Sequence, residues 1–103
     1  MAATNSYPIE KPLEGLESFY VEFLTNRENE LRELQTALAN SNFTAIAEIA
    51  HRWKGFCEPY GFGQLGNIAK ELEVHAKASE AAPCQKILVS VSDYLAHKRT
   101  TLP

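Results

Sequence analysis

The sequence predicts an all-α protein: an antiparallel four-helix bundle with a short N-terminal arm. Two observations carry this prediction. Apolar residues recur at the three- and four-residue spacing of amphipathic helices in four separate stretches. Short polar connections separate these stretches, and consecutive helices joined by short loops pack antiparallel. A chain of 103 residues can bury one core, so we assign residues 1–11 to an arm that packs weakly and residues 12–103 to a single bundle domain.

The first helix is predicted from about Leu13 to Asn40, where apolar residues keep helical spacing. Pro12 suits the first turn of a helix, because its missing N–H would have no partner there. Asn26 could mark a bend or a break, so the stretch could form one helix or two. We favour one.

The second helix is predicted over roughly residues 43–60, with Ser41 or Asn42 as its N-cap. Its inward face is apolar and consists of Ile46, Ile49, Ala50, Trp53, Phe56, Cys57 and Tyr60. At about 100° per residue, His51 falls at the opposite, solvent-facing pole.

Two further helices complete the bundle. The third is predicted near residues 64–78, and Pro83 can open the fourth, which ends near Lys98 and Arg99. Residues 89–92 alternate in polarity and could be a strand. A lone strand would have nothing to pair with, so a helix is preferred.

His51 is the candidate functional residue. A lone histidine is most often an ordinary core or surface residue, but His51 lies opposite the core face, and Lys54 and Gly55 follow it at one helical turn. A glycine inside a helix costs about 1 kcal/mol relative to alanine, which calls for a compensation. Close approach by a second macromolecule would supply one.

These residues belong to a longer pattern, which is His51-x-x-Lys54-Gly55, Tyr60-Gly61-Phe62, Leu65, Ile68 and Leu72-Glu73. The pattern resembles the histidine-containing phosphotransfer (HPt) domain of multistep phosphorelays. Similarity extends backwards through Phe43, Ile46 and Ile49 and covers most of residues 13–99.

The resemblance implies a phosphocarrier and not an enzyme. Nε2 of His51 would take a phosphoryl group from a receiver aspartate and pass it to another aspartate, with Lys54 giving electrostatic support. The implied partners are response-regulator receiver domains and a hybrid sensor histidine kinase. The Mg²⁺ would lie in the receiver, so we expect neither a cofactor nor a metal in this chain. The alternative is a non-phosphorylated helical-bundle adaptor that binds a signalling partner.

Partner docking is expected on the face that carries His51. The candidate docking residues are Ala47, Glu48, Gly55, Glu58 and Gln64. The two glutamates could tune partner choice by charge.

Composition excludes several other functions. The net charge of −3 and the lack of a basic patch argue against nucleic-acid binding. Cys57 and Cys84 have no paired spacing, so free thiols in a reducing cytoplasm are expected, without a disulfide or zinc site. No run of about 18 apolar residues is present, so we expect no membrane insertion. We expect a monomer, with His75 and His97 outside the site.

The chain departs from the family pattern after the glycine, where the two commonly small positions are Phe56 and Cys57, and Pro59 follows. Phe56 and Cys57 should point into the core. Pro59 removes a hydrogen bond and crowds the carbonyl of Gly55, so we predict a bend or early unwinding between Gly55 and Gly61. The turn from His51 to Gly55 should stay helical.

Overall fold

Each of the four stretches with helical spacing folds into one α-helix. The computed structural model describes Tyr7 and residues 9–101. Its helices are α1 Tyr20–Ala39, α2 Phe43–Phe56, α3 Gly63–Lys77 and α4 Ala81–Thr100, with single 3₁₀ turns at Glu17–Phe19 and Glu58–Tyr60. α2 packs on α3, and α4 packs on α1 and α3. The predicted all-α four-helix bundle is therefore confirmed, while the predictions for arm residues 1–6 and 8 lie outside the described residues.

The first helix begins at Tyr20, so the predicted start at Leu13 is wrong. Gly15 has a φ of +93°, which an α-helix does not allow, and its N–H is bound by the Glu17 carboxylate at 2.8 Å. The Leu13 N–H donates to the carbonyl of Pro59 at 2.8 Å instead of opening a helix. Leu13 is consequently exposed and does not belong to the core.

The remaining helix predictions hold within a few residues. α1 passes through Asn26 without a break, which confirms one helix rather than two. α4 includes residues 89–92, so the choice of helix over strand is also confirmed. Among the residues that the structure describes, no helix is both long and apolar enough to cross a bilayer.

The helix α2 is shorter at its C-terminal end than the predicted range of 43–60. Its N-cap is Asn42, whose side chain accepts from the Ala45 N–H at 3.2 Å, as predicted. α2 ends at Phe56, and Pro59 lies in the following 3₁₀ turn. The predicted early unwinding before Gly61 is confirmed, because proline cannot donate the next helical hydrogen bond.

One apolar core fills the space between the helices. Trp53, Phe62 and Tyr94 are its largest fully buried side chains. Cys57 is also fully buried, and the ring centroid of Phe56 lies 5.7 Å from that of Phe23 on α1. The prediction that residues 56 and 57 point inward is therefore confirmed.

A polar cluster behind His51 joins α1 to α2. The indole Nε1–H of Trp53 donates to Oε1 of Glu30 at 2.7 Å, and Glu30 also pairs with Arg27 at 2.7 Å and with Arg52 at 3.3 Å. The Arg27 guanidinium lies 4.3 Å from the ring centroid of Phe23. These partners satisfy the polar end of the buried indole and fix α2 against α1.

The N-terminal arm is fastened to the bundle by Glu10. Its carboxylate accepts from the Tyr94 hydroxyl at 2.6 Å and from the Gln64 backbone N–H at 2.6 Å, and it pairs with Lys98 at 2.9 Å. The described part of the arm is thus held more firmly than the weak packing expected from the sequence.

Both cysteines are buried free thiols. Burial raises the pKa of Cys57 to about 12, so its thiol stays protonated near neutral pH. Cys57 acts in this fold as a small apolar core residue.

Candidate functional site

The imidazole of His51 projects into solvent from the middle of α2. The opposite face of the helix is anchored by Ile46, Ile49 and Trp53, all buried. This anchoring leaves 66% of the His51 side chain exposed. The structure therefore places the ring on the wet pole that the helical spacing predicted.

The orientation of the imidazole is set by Glu73 on α3. Nδ1 of His51 lies 3.0 Å from Oε2 of Glu73. An ionised carboxylate can only accept, so this contact assigns the ring proton of the neutral histidine to Nδ1. Nε2 is then left unprotonated, with its lone pair available as a nucleophile.

Glu73 is a buried carboxylate with three donors. Lys54 Nζ lies 2.7 Å from Oε1, and Lys77 Nζ lies 3.2 Å from Oε2. The side chain of Glu73 is only 7% exposed. The hydrogen bond from Lys54 is the main cause that lowers the pKa of Glu73 to about 2, with Lys77 and His51 adding to it and burial opposing it. Glu73 is therefore ionised throughout the physiological pH range.

Lys54 lies one turn after His51 on the same helix, as the sequence indicated. Its ammonium is engaged by Glu73 and its side chain is 35% exposed. Lys54 is thus partly sheltered beside the imidazole, where a cation can balance the charge of an incoming anionic group.

The backbone of α2 is open beside the site at Gly55. A Cβ added there would meet no heavy atom within 4 Å. Phe56, the next residue, turns away to pack on Phe23 and under the Arg27 guanidinium. The bulky residues that follow Gly55 therefore leave the His51 face uncovered.

An open groove runs beside His51 between α2 and α3. It is lined by Phe43, Thr44, Ala47, Glu48, His51, Arg52, Glu73, Ala76, Lys77 and Ser79. The structure thus brings two of the predicted docking residues, Ala47 and Glu48, into one groove with the imidazole.

The other predicted docking residues lie on the opposite side of His51. Gly55 is one turn along α2, and Glu58 is exposed in the 3₁₀ turn that follows. Gln64 lies in the first turn of α3, about 13 Å along that helix from Glu73. Its backbone N–H binds Glu10, so Gln64 is not gathered around the imidazole.

Glu73 and Lys77 are the site residues that sequence reasoning did not identify. In the sequence, Glu73 appears only as one position of the family pattern, in Leu72-Glu73, and no role is assigned to it. A usable signal was present: Glu73 is a charged residue between the inward-facing positions Ala69, Leu72 and Ala76 of α3. A carboxylate so close to the apolar stripe needs a cationic partner, and Lys77 follows it at i+4.

The two remaining histidines have other partners. His75 Nδ1 lies 2.6 Å from Oε1 of Glu80, and the ring of His97 lies 4.6 Å from that of Tyr7. Within the described residues, no group of three or more His, Cys, Asp or Glu side chains could hold a metal ion.

The second helix of this four-helix bundle thus presents an exposed, oriented histidine. The family model of the Hpt domain matches residues 18–100. The chain belongs to the Hpt domain family. Hpt domains are phosphocarriers of the phosphotransfer family, and they interact with receiver domains and kinases of phosphorelays. Searches of curated proteins and of solved structures gave no significant match.

Proposed function

We propose that this Hpt protein carries a phosphoryl group on Nε2 of His51 within a multistep phosphorelay. It accepts the group from a receiver-domain aspartate and passes it to another receiver aspartate. The observation that carries the proposal is the contact of 3.0 Å between His51 Nδ1 and the buried carboxylate of Glu73. This contact leaves Nε2 as the exposed, unprotonated nitrogen.

In the proposed transfer, the Nε2 lone pair attacks phosphorus as the bond from phosphorus to the aspartyl oxygen breaks. The electron pair of that bond stays on the aspartate, which leaves as a carboxylate. The ring keeps its Nδ1 proton and becomes positively charged. Glu73 stabilises this charge through the Nδ1–H hydrogen bond, and the same steps in reverse pass the group on.

Lys54 gives electrostatic support in this scheme. Phosphoryl transfer depends mainly on positioning and on neutralising the charge of the transferred group. The Lys54 ammonium lies beside the ring. Its electrostatic attraction to the phosphoryl group becomes stronger when a docked partner excludes water. We expect Lys54→Ala to slow transfer on the order of tenfold. A rapid-quench assay measures the rate and a thermal melt checks the fold. An unchanged rate would remove Lys54 from the mechanism.

The proposed partners are receiver domains and a hybrid sensor histidine kinase, which dock on the His51 face. The proposed docking surface comprises Ala47, Glu48, Gly55 and Glu58 and extends to Gln64 at the start of α3, away from the imidazole. The receiver supplies the Mg²⁺ and the acidic residues, so the chain itself needs no cofactor. We further propose that it acts as a monomer. Support comes from the open backbone at Gly55 and from the groove that contains Ala47 and Glu48.

The test is transfer of labelled phosphate from phosphorylated receiver domains. The wild-type protein should take up label that is lost in acid and kept in alkali, as for a phosphoramidate. His51→Gln should fold normally and take up none, whereas the control His75→Gln should be labelled like the wild type. Label on His51→Gln would refute the assignment. Receiver binding without any labelling of the wild type would favour the adaptor alternative.

A further inference from the structure

Lys77 is a second cation at the site. Its Nζ lies 3.2 Å from Oε2 of Glu73, the same oxygen that contacts His51 Nδ1. Lys77 follows Glu73 by one turn of α3 and lines the groove beside His51. Its side chain is 68% exposed, compared with 35% for that of Lys54. Both lysines therefore pair with the same carboxylate, but Lys54 is partly sheltered whereas Lys77 is mostly exposed to solvent.

The charges of the site change when a phosphoryl group arrives. Before transfer, the two ammonium groups exceed the single carboxylate by one positive charge. The phosphoryl group brings about two negative charges. It forms a bond to Nε2, the ring nitrogen that faces away from Glu73. Lys54 Nζ lies 2.7 Å from Oε1 of Glu73, and this ammonium would turn from that oxygen toward the phosphoryl oxygens.

This movement would leave Glu73 with fewer donors. The carboxylate is buried, and a buried charge that loses its partner is costly. Lys77 can remove this cost, because it already contacts Oε2 and its solvated stem is free to follow the carboxylate. The Nδ1–H of His51 then keeps an ionised acceptor while Lys54 is engaged elsewhere.

We infer that Lys77 is a positioning residue that keeps Glu73 paired while Lys54 moves from Glu73 to the transferring phosphoryl group. The inference rests on the proposed transfer at His51. Lys77 acts through Glu73 and does not touch the reacting atoms. Its contribution therefore depends on Lys54 being present to move.

The experiment compares transfer rates from one phosphorylated receiver domain to wild type, Lys77→Ala, Lys77→Arg and Lys86→Ala. Lys86 is an exposed lysine on α4, so its variant removes the same charge outside the groove. We expect Lys77→Ala to slow transfer about three- to fivefold. Lys77→Arg and Lys86→Ala should both transfer at the wild-type rate. Equal rates for Lys77→Ala and Lys86→Ala would overturn the inference.

A double-mutant cycle with Lys54→Ala separates this mechanism from a general effect of charge. Without Lys54, Lys77 pairs with Glu73 both before and during transfer. Lys77→Ala should then change the rate of the Lys54→Ala protein by less than twofold. The same three- to fivefold loss in both backgrounds would contradict the exchange of partners.

The resting histidine provides a second readout. ¹⁵N NMR should show the Nδ1–H tautomer of His51 in both the wild type and Lys77→Ala, because Lys54 still holds Glu73 before transfer. A change of tautomer in Lys77→Ala would overturn the inference. A wild-type protein that takes up no label would overturn both the proposed function and this inference, whereas a labelled wild type with a normal Lys77→Ala variant would overturn the inference alone.

Discussion

Glu73 accepts hydrogen bonds from His51 Nδ1 and from the ammonium groups of Lys54 and Lys77. One buried carboxylate thereby fixes the tautomer of the histidine and holds two cations beside it. A histidine that is oriented through its second nitrogen presents one defined nitrogen to a reaction partner. His75 also contacts a carboxylate through Nδ1, but that carboxylate, Glu80, is 48% exposed. The burial of Glu73 and its two lysines distinguish His51 from His75.

The lowered pKa of Glu73 makes its contribution to stability depend on pH. The folded-state pKa is about 2, below the ordinary value of 4.5, so the stabilisation is fully present above pH 4.5 and is lost as the pH falls to about 2. The stability difference between wild type and Glu73→Gln should therefore shrink across this window. Denaturant titrations at several pH values measure it.

The control for this prediction is Glu71→Gln, which changes an exposed glutamate on the same helix. Its stability should follow that of the wild type through the acid range. A difference between wild type and Glu73→Gln that stays constant from pH 4.5 to pH 2 would show that the three donors do not stabilise the charged carboxylate.

At the scale of elements, the C-terminal end of α2 separates an open surface from a crowded turn. Gly55 is in the helix with free space around it. Gly61, after the Pro59 turn, has a φ of +91°, and a Cβ there would lie 2.8 Å from the backbone nitrogen of Pro12. Gly61 is therefore required by its backbone conformation, whereas the free space at Gly55 is what the docking proposal uses.

This difference predicts opposite effects of the same substitution. Gly61→Ala should destabilise the protein by about 2–4 kcal/mol, because of the strained φ and the contact with the arm. Gly55→Ala should stabilise it by about 0.5–1 kcal/mol, because alanine is the better helix former. Chemical denaturation measures both. A stable Gly61→Ala variant would contradict the turn geometry.

Gly55 also allows the docking proposal to be tested apart from stability. A large side chain, as in Gly55→Phe, should weaken receiver binding and slow transfer while the melting temperature stays close to that of the wild type. Unchanged binding would show that the partner does not approach the backbone here.

At the scale of the whole molecule, Glu10 connects the N-terminal arm to the last helix of the bundle. Its carboxylate links the arm to Tyr94 and Lys98 of α4 and to the backbone at the start of α3. Lys98 in turn donates to the carbonyl of Gly61 at 2.8 Å. Burial raises the pKa of the Tyr94 hydroxyl, and its hydrogen bond to the Glu10 carboxylate raises that pKa further.

Removing the negative charge of Glu10 should destabilise the whole bundle. Glu10→Gln would leave the ammonium of Lys98, whose side chain is only 5% exposed, without its counter-ion. We expect the free energy of unfolding to fall by about 2–3 kcal/mol and the melting temperature to fall by about 10 °C or more. The exposed Glu14→Gln is the matched control and should melt like the wild type. Equal melting temperatures would mean that the arm is not part of the stable fold.

The parts of the structure that the sequence could predict are those set by local pattern. The core faces of α2, α3 and α4, the cap at Asn42 and the unwinding before Pro59 depend on residues a few positions apart. The spacing of apolar residues continues back through Gly15, so the sequence predicts too early a start for α1. The left-handed backbone of Gly15 prevents a helix from running through it.

The parts that could not be predicted depend on pairs distant in sequence. Glu73 meets His51 only because α2 and α3 pack in one register, and Glu10 meets Tyr94 across 84 positions. A charge near an apolar stripe shows that a partner is needed, but helix packing decides which residue it is. The exposure of His51, by contrast, follows directly from its helical position.

The central claim is that Glu73 holds the proton on Nδ1 and leaves Nε2 of His51 to react. Phosphorus–nitrogen coupling in NMR spectra of the ¹⁵N-labelled phosphorylated protein tests this claim most directly. We predict that phosphorus couples to Nε2 of His51 and that Nδ1 keeps its proton. Phosphorus bound to Nδ1, or to any other residue, would contradict it.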